Sequence, residues 1–377
     1  MIFLLARLLK CLRQYKKETI FTLIFIIGET VIEVLIPFIT AELVNNIDAG
    51  ARMSDITRTG IILAVMALTS LACGAIAAFA CSKASTGFAK NLRSDIFKKI
   101  QSYSFENIDK FSSSSLVTRM TTDVANVQMA FMMLIRLAIR CPLMLVFAVI
   151  MAYIMGGALA GTFIVVIPVL ATGLLLIAKF AMPAFRRVFK KYDRLNESIE
   201  ENVRAMRVVK GFSREEYEKK KFKDASSDIC GDFTRAERIV ALETPIMQVC
   251  LYFNMVFVLF VGSKLTITSG GELINVGQIS AMLTYGMQIL MSLMMLSFVY
   301  VMITMSAESA KRIYEVLQEV PALSSPADAK YEIEDGSIRF ENVSFKYSKK
   351  ATEYALSDIN FEIKSGMTVG IVGTTGC

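Results

Sequence analysis

The last residues of the sequence have the spacing of a group that could hold phosphate. An apolar run at positions 367–372 leads into Gly373, Thr374, Thr375, Gly376 and Cys377. A phosphate-binding loop has the pattern G-x-x-x-x-G-K-[ST], in which backbone N–H groups surround the phosphates, Lys contacts the outer phosphates and a hydroxyl reaches Mg²⁺. Gly373 fits the first glycine, and the next four residues fit the variable positions. Taken alone, this tail is equally compatible with a strand followed by a glycine-rich turn.

Two carboxylates form a second candidate site. Glu29 and Glu33 are four residues apart within an apolar stretch, so a helix would present both on one face. A charged side chain at the centre of a bilayer costs at least about 2.5 kcal/mol, which favours burial against protein or in a water-filled cavity. One interpretation is that these carboxylates attract the cationic or polar group of an amphiphilic substrate. The alternative is a structural hydrogen bond to a neighbouring helix.

A third candidate surface follows a later apolar stretch. Gln278, Tyr285 and Gln288, with Met291 and Met295, recur near the helical period and would form a mixed polar and soft surface. Methionine side chains adapt to varied shapes, which suits a loosely specific substrate path. Because the chain contains 22 Met, ordinary core or lipid packing explains the same pattern equally well.

The composition indicates the solvent in which these groups must work. Of the 377 residues, 54% are hydrophobic and the mean hydropathy is +0.51, which is too apolar for a soluble globular protein. His is absent and the seven Cys show no C-x-x-C pairing, so the sequence predicts no metal site and no catalytic residue. The net charge of +7 includes the basic run 219–223, which we attribute to cytoplasmic loops and not to nucleic-acid binding.

Six apolar stretches are long enough for transmembrane helices, which need about 20 residues each. A tight turn at Gly156-Gly157 separates the third stretch from the fourth. The predicted spans are residues 19–40, 60–81, 137–155, 158–182, 245–268 and 276–305.

The charged residues between the spans predict the orientation. The connections after the second and fourth spans are rich in Lys and Arg, whereas the other three connections carry few charges. Because positive loops stay inside, both termini are predicted to be cytoplasmic, in a multi-pass protein of the plasma membrane. Residues 1–17 combine Leu and Phe with five basic residues and have no cleavage-site pattern. They indicate an amphipathic helix on the inner membrane face.

The two basic connections are long and show helical patterning, so the spanning helices should continue past the membrane as paired extensions. Asp109 and Phe111 lie where the first extension reverses, and Gly211 and Phe212 lie where the second one does. A short amphipathic helix with an aromatic residue at its tip is suited to docking into a groove of another domain. A solvated turn is the alternative.

The chain changes character after the sixth span. Pro321 and the segment 324–326 break the last helix into a linker. From Gly336 onward, apolar residues alternate with polar ones, as at 338–347 and 359–363. This alternation predicts β-strands and the start of a soluble β-rich domain.

The order of these parts resembles one family, the half-size ABC exporters, in which a type IV (type-1) exporter transmembrane domain is followed by an ATP-binding domain. The resemblance covers essentially the whole chain, although each motif is degenerate. The motifs are residues 33–37 toward the end of the first span, 47–50 after it, 111–124 and 207–215 at the two reversals, and 338–347 in the first strands of the ATPase domain. The implied fold class is an all-α polytopic membrane domain with six long transmembrane helices, followed by the β-rich start of an α/β P-loop ATPase domain.

The resemblance also implies a domain plan and site residues. An N-terminal elbow helix at 1–17 precedes the transmembrane domain at 18–310, a linker at 311–335 and, at 336–377, a nucleotide-binding domain truncated within the phosphate loop. Tyr347 would stack on adenine. The family binds ATP with Mg²⁺, and in this chain residues 373–377 would begin that phosphate site. The residues implied to couple the membrane helices to the ATPase domain are Asp109, Phe111, Gly211 and Phe212.

The implied function is export of amphiphilic, drug-like or lipid-like substrates by a dimer, in which a second half-transporter subunit completes a homodimer or heterodimer. Closing and opening of the nucleotide domains would drive alternating access. The loop Lys and Ser/Thr, the acidic Mg²⁺-binding strand, the family signature and the catalytic glutamate do not occur in these residues, so the chain alone is not expected to hydrolyse ATP. The alternative is a non-catalytic fragment or a pairing subunit without ATPase activity. An unrelated six-span carrier would leave the strands unexplained.

Overall fold

The computed structural model describes residues 8–321, 328, 332, 335–346 and 352–373. These residues form ten α-helices, two β-strands and short 3₁₀ and π segments. The helices are α1 Lys16–Asp48, α2 Met53–Gln101, α3 Phe105–Phe111, α4 Ser113–Thr118, α5 Val124–Gly156, α6 Gly161–Arg204, α7 Met206–Gly211, α8 Glu215–Val240, α9 Glu243–Ser269 and α10 Val276–Gln318. The strands are β1 Ile338–Phe345 and β2 Leu356–Ile363, the 3₁₀ helices are Leu9–Tyr15 and Gly157–Ala160, and the π-helix is Arg119–Asp123.

Six helical stretches of the described chain are long and apolar enough to cross a membrane. They include α1, α2, α5, α6, α9 and α10, and they match the six predicted spans. The fourth predicted span begins at 158, within the 3₁₀ helix Gly157–Ala160 that precedes α6. Gly157 has a φ of +49°, which permits the reversal predicted there. The chain is therefore a multi-pass membrane protein, and the predicted fold class is confirmed.

Several helices are much longer than a bilayer is thick. α2 has 49 residues, α6 has 44 and α10 has 43. At a rise of 1.5 Å per residue, each is about 65–75 Å long, more than twice the hydrocarbon thickness of about 30 Å. This length agrees with the prediction that the helices before the two basic connections, α2 and α6, continue past the membrane, and α10 is long enough to do the same.

The centre of the bundle consists of four helices. α10 packs along α5 and α1, and α1 also packs along α2 and α5. Side chains between them, such as Phe88 and Ile289, are fully buried. α6 and α9 pack against α10, and α8 packs against α6. In lipid, close van der Waals packing of this kind drives helix association, because there is no hydrophobic effect between apolar helices.

The N-terminal segment differs in detail from the amphipathic helix predicted for 1–17. Residues 1–7 lie outside the described residues, Leu9–Tyr15 form a 3₁₀ helix, and α1 already begins at Lys16. Arg13 pairs with Asp95 of α2 at 2.8 Å. The Tyr15 ring lies over Gly87, where a Cβ would come within 2.4 Å of it. The segment is therefore bound to α2 by specific contacts, which a pattern of Leu and Lys does not reveal.

The last helix and the strands lie where the composition changes. α10 continues to Gln318, past the predicted domain end at 310, because Ile313 and Val316 are fully buried in the helical core. β1 and β2 form an antiparallel hairpin in which Phe340 stacks on Phe361 with ring centroids 4.5 Å apart. The apolar run before Gly373 is not a strand in this structure, since no neighbouring strand within the described residues pairs with it.

Candidate functional site

Three charged side chains meet inside the bundle, on α1 and α5. Arg140 of α5 places Nη2 2.7 Å from Oε2 and 2.8 Å from Oε1 of Glu33. Its Nη1 lies 3.2 Å from Oε1 of Glu29. The two glutamates are one turn apart on α1, so a single guanidinium reaches both carboxylates. We call Glu29, Glu33 and Arg140 the ion cluster.

Glu29 lies deeper in the bundle than Glu33. The side chain of Glu29 is 10% exposed and that of Glu33 is 28% exposed. Oε2 of Glu29 is buried and has no hydrogen-bond partner within the described part of the chain. Oε1 of Glu29 faces Gly74 of α2, where a Cβ would come within 3.0 Å of it. The glycine thus makes room for a carboxylate that would otherwise meet a side chain.

Gln288 is the one residue of the third candidate surface whose polar group lies at the ion cluster. Its Nε2 donates to the backbone O of Glu33 at 3.4 Å, and its Oε1 is buried without a partner among the described residues. Two buried acceptor atoms, Glu29 Oε2 and Gln288 Oε1, thus lack an N–H or O–H donor among the described residues. A buried acceptor left unpaired costs about 1–3 kcal/mol, so a bound donor or an ordered water would stabilise this region.

The other two residues of that surface have different surroundings. Tyr285 is fully buried and its OH donates to the backbone O of Val34 at 2.9 Å, so the ring joins α10 to α1 and offers no open surface to a substrate. Gln278 lies at the start of α10, about 15 Å along the helix from Gln288. Its side chain accepts a hydrogen bond from the N–H of Asn275 at 2.9 Å, in a capping box. These two predicted path residues therefore have structural contacts here.

Arg140 was missed by sequence reasoning, although a signal was present. The residue lies within the predicted span 137–155, and an ionisable side chain in a span needs a partner. The two glutamates on another span supply the opposite charge. Their pairing still required the relative position of α1 and α5, which hydropathy does not contain.

The residues predicted to couple the helices to another domain differ in exposure. Phe111, at the end of α3, is 8% exposed, and its ring stacks on Tyr103 at 5.9 Å between centroids. It therefore does not present the free aromatic tip expected from the sequence. Phe212, directly after Gly211 at the end of α7, is 74% exposed and does present a free aromatic side chain. Asp109 lies on α3, and its side chain lies outside the described part of the structure.

A cavity of about 650 Å³ lies beside the second of these regions. Its walls come from the end of α6, from α7 and from the start of α8, and they are mainly apolar. Met206, Val209 and Phe222 are among the lining residues, and Lys210 and Glu215 lie at the cavity as a pair 3.2 Å apart. The cavity is separate from the ion cluster.

The predicted nucleotide-binding residues lie mostly outside the described residues. This holds for Tyr347 and for Thr374, Thr375, Gly376 and Cys377. Gly373 is described, and it lies in exposed irregular backbone. The described residues do not form a phosphate cradle, and among them no group of three or more His, Cys, Asp or Glu could hold a metal ion. The nucleotide assignments stay predictions.

Comparison with known proteins places the helical domain in a family. Residues 19–294 match the ABC transporter transmembrane region. The chain is 30% identical over 380 residues to the uncharacterized ABC transporter ATP-binding protein YfiB of Bacillus subtilis, covering 99% of this chain and 64% of the relative. An uncharacterized ABC transporter ATP-binding protein of Mycobacterium tuberculosis is 29% identical over 375 residues, with the same coverage.

A further relative has a more specific name. The ATP-dependent lipid A-core flippase of Pseudomonas fluorescens is 26% identical over 299 residues, which cover 78% of this chain and 48% of the flippase. The chain spans 64% of the length of the first two relatives, whose names record ATP binding. Because the match to the transmembrane region extends over most of the sequence and includes all of the ion cluster, the chain belongs to the ABC transporter transmembrane family.

Proposed function

We propose that this chain is the transmembrane and coupling part of an ATP-driven ABC exporter subunit. The observation that carries the proposal is the ion cluster of Glu29, Glu33 and Arg140 within a six-span bundle of this family. Charged groups at membrane depth mark substrate or ion pathways. The proposed substrates are amphiphilic, drug-like or lipid-like molecules, and the name of the flippase relative supports the lipid-like class.

The proposed topology follows from the distribution of charge. We place both termini in the cytoplasm and the protein in the plasma membrane, because Lys and Arg concentrate in the connections after the second and fourth spans. α3 and α7 then lie on the cytoplasmic side. The proposed domain plan keeps the boundaries 1–17, 18–310, 311–335 and 336–377, with the last helix running into the linker.

The proposed energy source is ATP with Mg²⁺. The names of the ATP-binding relatives support the use of ATP. Tyr347 and residues 373–377 would contribute to the nucleotide site of a chain that continues into a complete ATP-binding domain. We assign no hydrolytic step to the described residues, because they do not form that site. The proposed partner is a second half-transporter subunit, identical or not, and the regions of Asp109, Phe111, Gly211 and Phe212 would pass motion between the domains.

The proposed substrate path passes the ion cluster. Glu33, Arg140 and Gln288 are partly exposed there, and behind them Glu29 adds a buried acceptor atom without a partner among the described residues. An amphiphile with an N–H donor could bind to these acceptors while its apolar part lies along the Met-rich surface of α10. Tyr285 would support the path by holding α10 against α1, and Gln278 would support it by starting α10.

The test uses a full-length version, in which the chain continues into a complete ATP-binding domain, in inside-out membrane vesicles. We expect ATP-dependent uptake of a cationic amphiphilic dye, and we expect Glu29→Gln to reduce it. Glu42→Gln changes an exposed carboxylate on the same helix and serves as the matched control. Vesicles without ATP-dependent uptake of cationic, neutral or lipid-like probes would contradict the export function. Unchanged dye uptake by the Glu29 variant would contradict the substrate role of Glu29 but not the export function.

A further inference from the structure

A set of polar contacts fastens α3 to the end of α10. Asn107 of α3 donates from Nδ2 to Oε1 of Glu319 and to the backbone O of Val320, each at 3.1 Å. Lys110 places Nζ 2.7 Å from Oε2 of Glu319. Both carboxylate oxygens of Glu319, the residue that follows α10, are thus bound by α3. We call Asn107, Lys110 and Glu319 the Glu319 clamp.

Asn107 has two functions in this arrangement. Its Oδ1 accepts hydrogen bonds from the backbone N of Ser104 at 3.2 Å and from Ser104 Oγ at 2.7 Å, which caps the start of α3. Its Nδ2 makes the contacts to Glu319 and Val320. Asn107 is only 3% exposed, and its side-chain amide forms hydrogen bonds with protein groups. The same side chain therefore forms the seven-residue helix and docks it.

Aromatic contacts extend the docking toward the core. Tyr103 donates its OH to the backbone O of Val316 at 2.7 Å, and burial raises the pKa of Tyr103 to about 12. The Tyr103 ring stacks on Phe111, and the guanidinium of Arg119 lies 4.9 Å from the centre of the Phe111 ring. Phe111 is thereby enclosed between α3 and the helices that follow it.

The π-helix Arg119–Asp123 adds a second attachment to the same part of α10. Asp123 is fully buried, accepts from Ser309 Oγ at 2.8 Å and pairs with Arg312. Arg119 donates to the backbone O of Arg312 at 2.5 Å. Insertion of a π turn changes which side chains face a neighbouring helix, and such turns are frequent at functional sites.

The contacted residues of α10 form one face. Ser309, Arg312, Val316 and Glu319 are three or four positions apart, which is the spacing of one side of a helix. This face covers the last three turns before the chain leaves α10 for the linker. The connection between α2 and α5 therefore contacts α10 over each of these last three turns.

From these contacts we infer that Glu319 is a positioning residue for coupling, which rests on the proposed export function. The clamp makes α3 and the exit of α10 move together. A displacement delivered to the linker would then reach α3, and through α4 and the π-helix it would reach α5, which carries Arg140 of the ion cluster. The second region, at Phe212, is exposed and shows no comparable attachment to α10 within the described residues.

The test is a charge-swap series. Lys110→Glu and Glu319→Lys each place like charges at the clamp, and the double variant restores an opposite pair. Asn107→Asp keeps the oxygen that caps α3 and removes the two donors to the end of α10. Glu272→Lys reverses an exposed charge in the connection between α9 and α10 and is the control. Because the sequence contains no Trp, Phe111→Trp in each background reports by its emission whether position 111 stays buried.

Two readouts separate positioning from simple stability. In full-length vesicles we measure substrate transported per ATP hydrolysed, and in the 377-residue chain we measure the Trp emission. We expect each single swap and Asn107→Asp to shift the emission to the red and to lower the transport ratio roughly threefold, the size suited to a partly exposed ion pair. The double swap should restore both in part, because the lysine introduced at position 319 can pair with the glutamate introduced at position 110 but cannot accept the hydrogen bond from Asn107. Glu272→Lys should change neither.

The possible outcomes decide between the hypotheses. Single swaps that leave emission and ratio unchanged contradict the clamp. A red-shifted emission with an unchanged ratio, or a double swap whose ratio is no higher than that of the single swaps, contradicts its role in coupling. A wild-type protein that transports nothing contradicts the export function instead, and the emission of the variants still shows whether Glu319 holds α3.

Discussion

Arg140 of α5 binds both oxygens of Glu33 on α1, with Nη2 at 2.7 and 2.8 Å, and reaches Glu29 with Nη1 at 3.2 Å. The contact joins two of the four central helices by charge inside the bundle. Both carboxylate oxygens of Glu33 accept hydrogen bonds from Arg140, whereas the second oxygen of Glu29 has no hydrogen-bond partner among the described residues. Within the cluster, Glu33 is therefore the main anchor of Arg140, and Glu29 holds the buried acceptor oxygen that lacks a partner among the described residues.

The first prediction concerns Arg140. Arg140→Met leaves two carboxylates without their cation, and we expect a stability loss of about 3 kcal/mol, the lower end for breaking a buried ion pair, because Arg140 is partly exposed. Arg140→Lys keeps the charge but loses the fork that spans both glutamates, so we expect a smaller loss. The measurement is the midpoint of thermal unfolding of the 377-residue chain in detergent, followed by helical circular dichroism.

Arg136 provides the matched control for this series. It lies one turn earlier on α5, and it forms no ion pair with the glutamates in the described structure. We expect Arg136→Met to lower the midpoint much less than Arg140→Met. Adding Glu29→Gln and Glu33→Gln to Arg140→Met should recover part of the loss, since the buried charges disappear together. Equal losses at 136 and 140 would argue against a specific cluster.

The second prediction concerns the glycine beside Glu29. Gly74→Ala places a methyl group within 3.0 Å of a carboxylate that Arg140 holds in position, so we expect destabilisation of roughly 1 kcal/mol, as for mild overpacking. In full-length vesicles the same change should reduce uptake of the cationic dye. Gly60→Ala on the same helix is the control, because no atom lies within 4 Å of its Cβ position.

At Gly60 we expect the alanine substitution to change stability in the opposite direction. Replacing an open helical glycine by alanine stabilises a helix by up to about 1 kcal/mol. The two variants therefore differ in sign although their helix propensities are the same. A stabilising Gly74→Ala would show that the carboxylate can move away from α2 at no cost.

Much of the fold could be predicted from the sequence because hydropathy and periodicity are local properties. The six spans, the turn at Gly157 and the strands after Gly336 were all visible as runs and alternations. The partner of Glu33 was not, since Arg140 is 107 residues away and only the register between α1 and α5 brings them together. The capping role of Gln278 and the burial of Tyr285 likewise depend on where α10 begins and what it meets.

Phe111 and Phe212 show the same limit at the ends of the long helices. Both aromatic residues occur at predicted reversals, and the sequence pattern treats them alike. The structure buries Phe111 because Tyr103, Arg119 and the end of α10 surround it, and it leaves Phe212 in the open. Sequence-derived exposure fails here because the packing partner of α3 is more than 200 residues away.

The third prediction uses this difference. Phe111→Ala should destabilise the 377-residue chain by about 3 kcal/mol, as expected for truncating a buried ring. Phe212→Ala should stay within about 0.5 kcal/mol, because the ring is exposed. In full-length vesicles, however, we expect Phe212→Ala to lower transport per ATP hydrolysed. An unchanged ratio would remove Phe212 from the proposed coupling residues.

The fourth prediction is a pH dependence at the Glu319 clamp. The hydrogen bond from Lys110, aided by the one from Asn107, lowers the pKa of Glu319 below its ordinary value. A carboxyl whose pKa is lowered in the folded state contributes stability above its unfolded pKa of about 4.3, and this contribution is lost as the pH falls through the lower folded value. We therefore expect α3 to stay docked at neutral pH and to loosen only in acid, measured by the Trp emission of Phe111→Trp.

Glu319→Gln separates this titration from general acid unfolding. The amide cannot ionise, so it lacks the charged pair with Lys110 at every pH, although it can still accept from Asn107. Its emission should already be shifted at neutral pH and should change less on acidification than that of the parent. Because Tyr103 keeps its proton up to about pH 12, its bond to Val316 should contribute nothing to the acid transition. Identical acid transitions with and without Glu319 would assign the loosening of α3 to other carboxylates of the chain.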